Sequence, residues 1–152
     1  MNARWNTVVL AFWLFLPFVN AQQSDIYVEK FAVREGLILV TATVDGQPGT
    51  FIFDTGAPTL ILNSRVFEGH PSEWTAEGVN GQVHIQEKVV KRFEWGNISK
   101  RRFHAVVSDL THLEKALRHP LMGLIGYEII RSQEICLDYE NQRIIQYKTN
   151  MA

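Results

Sequence analysis

Asp54 is the residue of this chain best placed to do chemistry. It stands in Phe53-Asp54-Thr55-Gly56-Ala57, and an apolar stretch, Thr50-Phe51-Ile52-Phe53, runs directly into it. A carboxylate between an apolar strand and a glycine is expected to be partly desolvated, and the small residue lets backbone donors come close to it. A group so placed can exchange protons with a bound molecule, which is general acid–base chemistry. Asp and Gly are also favoured turn residues, so the tripeptide by itself fits a plain turn about as well.

Other constellations offer less. The histidines at 70, 84, 104, 112 and 119 form no His-Glu-x-x-His pair and have no cysteine at ligand spacing, so no metal is expected. His112 and His119 could share a helical face, where they read as surface histidines. There is no Gly-x-Ser-x-Gly elbow, no Gly-Lys-Ser/Thr phosphate loop and no Gly-x-Gly-x-x-Gly, so serine, nucleotide and dinucleotide chemistry lose their usual supports and no cofactor is implied. Lys and Arg number 15 against 16 for Asp and Glu, with a net charge of -1 and no basic stripe, which argues against nucleic acid as a partner. Cys136 is the sole cysteine, so no intramolecular disulfide can form. It lies in the alternating Ile135-Cys136-Leu137-Asp138-Tyr139 and reads as structural rather than nucleophilic. Asn97-Ile98-Ser99 is a glycosylation sequon.

The elements that must position Asp54 read as short strands. Leu37 to Val44 is rich in Val, Ile, Leu and Thr, Asp45-Gly46 breaks it, and Pro48-Gly49 completes the connection to Thr50–Phe53. Asp54 thus stands at the end of a core hairpin. Leu60-Ile61-Leu62 is a further apolar run, and Glu68 to Trp74 reads as loop. Glu77-Gly78-Val79-Asn80-Gly81 followed by alternating Val83-His84-Ile85-Gln86 predicts a glycine-tipped hairpin. Val89–Trp95, Gly96-Asn97 and Phe103–Val107 predict another, with Lys100, Arg101 and Arg102 as its solvated rim. Thr111-His112-Leu113-Glu114 fits a capping box that opens a helix to about Arg118, ended by Pro120. Leu121 to Gly126 reads as an apolar strand, Tyr127 to Arg131 as a helical turn, and Ile135–Tyr139 with Ile144–Tyr147 as a closing hairpin. The whole predicts an all-β fold, a small closed or partly open barrel with one or two short helices.

Arg4, the apolar run Thr7–Val19 and the small residues of Val19-Asn20-Ala21 mark residues 1–21 as a secretory signal peptide. The run is about 13 residues, short of the roughly 20 needed to span a bilayer. Removal of the segment implies an exported, secreted or periplasmic protein with no stable membrane insertion; retention would instead tether it to a membrane. Residues 22–152, in a chain with 46% apolar residues, then form one domain with one core.

From about Leu37 to Tyr147 this arrangement resembles the retropepsin-like aspartic proteases, which include retroviral proteases and half-length relatives of pepsin. The resemblance rests on the Asp45-Gly46 turn, Phe51-Ile52-Phe53-Asp54-Thr55-Gly56-Ala57, the glycine-bearing Gly78–Gly81 segment, Leu124-Ile125-Gly126 with a short helix behind it, and the final hairpin. It implies that Asp54 is catalytic, with Thr55, Gly56 and Ala57 as its loop: Thr55 would bond across a dimer axis, and Gly56 would let two loops meet. Leu124, Ile125 and Gly126 would cross behind the loop and hold it rigid. Gly78, Val79, Asn80 and Gly81 would form a flap over the substrate. Viral relatives carry an acidic residue soon after Asp-Thr-Gly-Ala and an Arg after the later glycine, paired near the interface. Here Pro58, Thr59 and Tyr127, Glu128 stand instead, which implies a different brace and a different subsite shape.

The resemblance further implies an aspartic endopeptidase that activates water with two carboxylates roughly 3 Å apart sharing one proton. With a single Asp-Thr-Gly in the chain, the second carboxylate is expected from an identical subunit of a homodimer, acting on a peptide or protein substrate. A catalytically idle peptide-binding module of the same fold is the alternative, and assembly with a different aspartic subunit is a third reading.

Overall fold

The computed structural model describes residues 26–78 and 81–148, and the side chains of that span outside 73–85. Among these residues the order is β1 (Ile26–Lys30), β2 (Ala32–Arg34), β3 (Leu37–Val44), β4 (Gln47–Phe53), β5 (Ile61–Asn63), β6 (His70–Gly78), β7 (Gly81–Trp95), β8 (Ile98–Ser108), α1 (Thr111–Leu117), β9 (Gly123–Ile125), α2 (Tyr127–Ile130), β10 (Gln133–Asp138) and β11 (Arg143–Lys148). The fold is all-β, as expected, with two short helices. One sheet runs β2-β3-β4-β9-β5-β8-β7-β6, and pairing of β3 with β7 closes six of its strands into a barrel. The other sheet runs β1-β11-β10, all antiparallel. The segment 1–21 lies outside the described residues. No described helix is long and apolar enough to cross a membrane.

Barrel closure is seeded at the Asp45-Gly46 turn. Asp45 and Gly46 adopt φ of 51° and 85°, the paired left-handed conformation of a two-residue hairpin loop that matches strand twist. Asp45 Oδ1 accepts from the amides of Lys91 (2.8 Å) and Arg92 (3.0 Å), which pins the turn to β7. Pro48 and Gly49, expected to belong to the connection, are instead the second and third residues of β4. Pro48 faces Thr43 on β3, and β9 pairs with β4 only from Phe51, so the missing Pro amide falls at an edge where no ladder bond is lost. A Cβ on Gly49 would stand 2.2 Å from Met122 Cγ.

β3 and β4 are apolar on both faces because both faces are covered. Phe51, Val44, Val40, Leu62, Val90, Phe93, Trp95 and Ile125 fill the barrel, where Phe51 and Phe93 meet edge to face at 6.2 Å. Leu39 and Ile52 point the other way, into a smaller cluster with Leu110, Leu117, Leu121 and Leu124 under α1.

Several local readings are corrected. The stretch Glu68–Trp74 is not all loop, since β6 starts at His70 and carries a register irregularity between Pro71 and Thr75. Thr111 does not cap α1: Leu110 occupies the cap position without a side-chain bond, and Asp109 Oδ1 accepts from the Thr111 amide at 2.8 Å. Glu114, freed from the capping role, bonds Arg65 and the Leu121 amide. The helix ends at Leu117, with Arg118 left-handed, so His119 lies beyond it and shares no helical face with His112. His119 Nε2 instead meets Thr50 Oγ1 at 3.0 Å. Cys136 sits on the expected strand but is exposed, so it does not pack in the core. Asn97 Nδ2, the atom a glycan would need, is buried.

β1 was not foreseen. Its Ile-Tyr-Val-Glu-Lys alternates and is tied to β7 by Trp95 Nε1 donating to Glu29 Oε1 at 2.5 Å, with Tyr27 Oη donating to Oε2 at 3.1 Å. Burial pushes the Glu29 carboxyl above its ordinary range, against the pull of these two bonds.

Candidate active site

β4 delivers Phe53 to the barrel end, and Asp54 follows with its amide donating to Ile125 O at 3.1 Å. This extends the parallel β4–β9 ladder, Phe51↔Gly123, Ile52↔Leu124 and Phe53↔Ile125, by one residue. The chain then reverses over Thr55 and Gly56. Ala57 N donates to Asp54 O (3.2 Å), and Gly56 N donates to the Asp54 side chain at Oδ1 (2.9 Å). The carboxylate is half-buried, and that bond from its own loop fixes its direction, while Thr55 and Gly56 are exposed beside it. A Cβ on Gly56 would lie 3.2 Å from Asp54 Oδ1.

The support comes from β9. Between β4 on one side and β5 on the other, it runs parallel to the first and antiparallel to the second. Such a crossing leaves no room for side chains at its ends. A Cβ on Gly123 would stand 2.1 Å from Ile61 O, and one on Gly126 2.2 Å from Thr59 O and 2.5 Å from Ala57 O. Ile125 is fully buried and Leu124 nearly so. The structure therefore brings Leu124, Ile125 and Gly126 directly behind the Asp54, Thr55, Gly56 and Ala57 loop.

α2 abuts the same loop. A helix start leaves backbone donors without intrahelical partners. Here the loop supplies them: Tyr127 N donates to Ala57 O (2.8 Å) and Glu128 N to Pro58 O (3.0 Å). Thr59 Oγ1 donates to Glu128 Oε2 at 3.2 Å, and Lys100 Nζ to Glu128 Oε1 at 2.5 Å. The Lys100 bond, partly offset by burial, holds the Glu128 carboxyl below the usual carboxylate range; the Lys100 charge, Thr59 and Arg131 act in the same direction. Thr59 and Glu128 thus meet where the sequence reading expected a different brace. Lys100 was missed, having been read as rim. Its ammonium also lies 4.9 Å over the Phe103 ring.

Beside Thr55 a groove of about 370 Å³ is lined by Phe53, Thr55, Tyr127, Ile130, Ile135 and Leu137. Tyr127 is 58% exposed at its edge. Of the expected flap, Gly78 and Gly81 are the facing ends of the β6–β7 hairpin, and Val79 and Asn80 lie outside the described residues.

Residues 40–129, which run from within β3 through the Asp54 loop and β9 into α2, match the family described as aspartyl protease. The chain belongs to the aspartyl protease family. Among solved structures, this aspartyl protease chain is similar to a retropepsin-like aspartic protease from Rickettsia conorii, with 16% identity and a TM-score of 0.56 over 81% of this chain and 93% of that one. At that identity the likeness shows the fold, which for this family member is the retropepsin-like barrel. Comparison with curated proteins gives no match.

Proposed function

We propose that this aspartyl protease chain is an active endopeptidase whose water is activated by Asp54 and by Asp54 of a second, identical chain. The observation that carries the reading is the Asp54 loop: a half-buried carboxylate aimed by the Gly56 amide and backed by β9. Preorganisation of this kind is what an acid–base group needs before substrate arrives.

In the proposed reaction two Asp54 carboxylates share one proton. The ionised partner takes a proton from a water as its oxygen adds to the peptide carbonyl carbon. The protonated partner gives its proton to the carbonyl oxygen, and a tetrahedral diol results. As the C–N bond breaks, a proton passes to the amine and the other product leaves as a carboxylic acid. Only the singly protonated pair is competent, so the rate has a bell-shaped pH dependence whose limits belong to the pair. Gly78, Val79, Asn80 and Gly81 serve as the flap that excludes water, and export through the 1–21 segment is part of the same proposal.

The test is Asp54→Asn, assayed on a random peptide library beside the wild type. An amide neither accepts a proton from water nor shares one, so hydrolysis is expected to fall by more than about a hundredfold with the melting temperature nearly unchanged. A variant that keeps cutting at a comparable rate would overturn the assignment, and a wild type that binds peptides without cutting any would favour the idle binding module.

A further inference from the structure

We propose that Glu128 is a positioning residue for this reaction, clamping the Asp54 loop to α2 and β8 through Thr59 and Lys100, and that it does so only while ionised. The inference rests on the peptidase reading above.

α2 has four residues, too few to hold its own alignment without outside contacts. Its position relative to the loop is set by the amide bonds from Tyr127 and Glu128 to Ala57 O and Pro58 O. The Glu128 carboxylate then closes the arrangement by using both oxygens at once, one toward the loop at Thr59 and one toward β8 at Lys100. Three segments far apart in sequence meet at this one group. Losing its charge would release the strongest of the ties, because the bond from Lys100 is charge-assisted and its ammonium pairs with no other carboxylate among the described residues.

The groups that face the carboxylate are Lys100 from β8, Arg131 at the C-terminal cap of α2 and the hydroxyl of Thr59 from the loop. All favour the ionised form. The folded value lies below the ordinary one, so the clamp is fully present above the ordinary Glu range, about 4.3, and is lost as pH falls through the lower folded value. The clamp therefore persists into the acidic range where a pair of carboxylates sharing a proton operates. Without Lys100, Glu128 would protonate at higher pH, and the loop would loosen while the dyad is still in its competent state.

Lys100→Met separates this from a plain packing role. Near pH 7 its kcat is expected to fall only a few-fold, since the tie to β8 is gone while Glu128 is still ionised and still accepts from Thr59. Near pH 4 the fall is expected to be clearly larger, because without the Lys100 ammonium Glu128 protonates at higher pH and its ionised acceptor for Thr59 is lost as well, with KM little changed. Lys100→Arg should restore the wild-type profile. Amide hydrogen exchange at Tyr127 and Glu128, corrected for intrinsic pH dependence, gives a readout that needs no activity. Relative to wild type, protection in Lys100→Met should be partly reduced at pH 7 and reduced further near pH 4. Equal losses of rate and protection at both pH values, or no loss at either, would overturn the proposal. A wild-type chain that cuts nothing would overturn the peptidase reading, and the exchange data would still decide the clamp.

Discussion

At Asp54 the geometry of a single side chain depends on what its neighbours lack. The carboxylate is aimed by the amide of Gly56, and the loop that carries it lies against a strand end where Gly126 leaves no space for a methyl group. Gly126→Ala would press a Cβ toward Thr59 O and Ala57 O, both backbone atoms that cannot swing aside. We expect it to cost about 1–3 kcal/mol of stability, the usual scale for overpacking, and to reduce hydrolysis further than the remaining folded fraction explains. Denaturant midpoints measured beside specific activity check this; activity that tracks folded protein alone would show that the contact shapes stability and not the site. Much of this was legible in the sequence through the family resemblance, because Asp-Thr-Gly-Ala and Leu-Ile-Gly are contiguous runs and the resemblance implies that the second crosses behind the first. Lys100 was not legible. Its partner Glu128 is remote in the chain, and Lys100-Arg101-Arg102 looks like an ordinary charged rim until β8 is seen to turn alternate residues toward α2.

Among the elements, the strands that flank the site were foreseen where an apolar run ended in a strong turn signal, as at Leu37–Val44 with Asp45-Gly46. Readings failed where polar residues do the structural work. β6 begins in the polar stretch His70-Pro71-Ser72, which reads as loop, and the start of α1 is bonded by Asp109 rather than by the better-looking Thr111. Asp138 is another case. Named in the sequence only as part of the alternating Ile135–Tyr139 run, it organises the β10–β11 turn by accepting from Arg143 and from the Asn141 amide, and these bonds lower its carboxyl to about 2. A depressed value means that its contribution is present above the ordinary Asp range and is lost as pH falls through about 2. Asp138→Asn is therefore expected to lower the melting temperature at pH 6 and to make little difference near pH 1.5, with specific activity per folded chain unchanged. Equal melting curves for the two proteins at pH 6 would contradict this role for the turn.

For the whole molecule, the fold and family follow from the β4–β9–β5 crossing and the match over residues 40–129. The proposed chemistry follows from a count. One chain offers one Asp-Thr-Gly, the reaction uses two carboxylates, and exposed Thr55 and Gly56 beside the half-buried Asp54 leave the loop open to a partner loop. The most direct measurement mixes wild-type chains with an equal amount of Asp54→Asn chains at saturating concentration, with subunit exchange followed by mass-tagged protein. Random assembly leaves about one dimer in four with both aspartates, so activity per wild-type chain should fall to about half and keep falling as more variant is added. Activity per wild-type chain that stays constant while the tags exchange would contradict a dyad shared between identical chains.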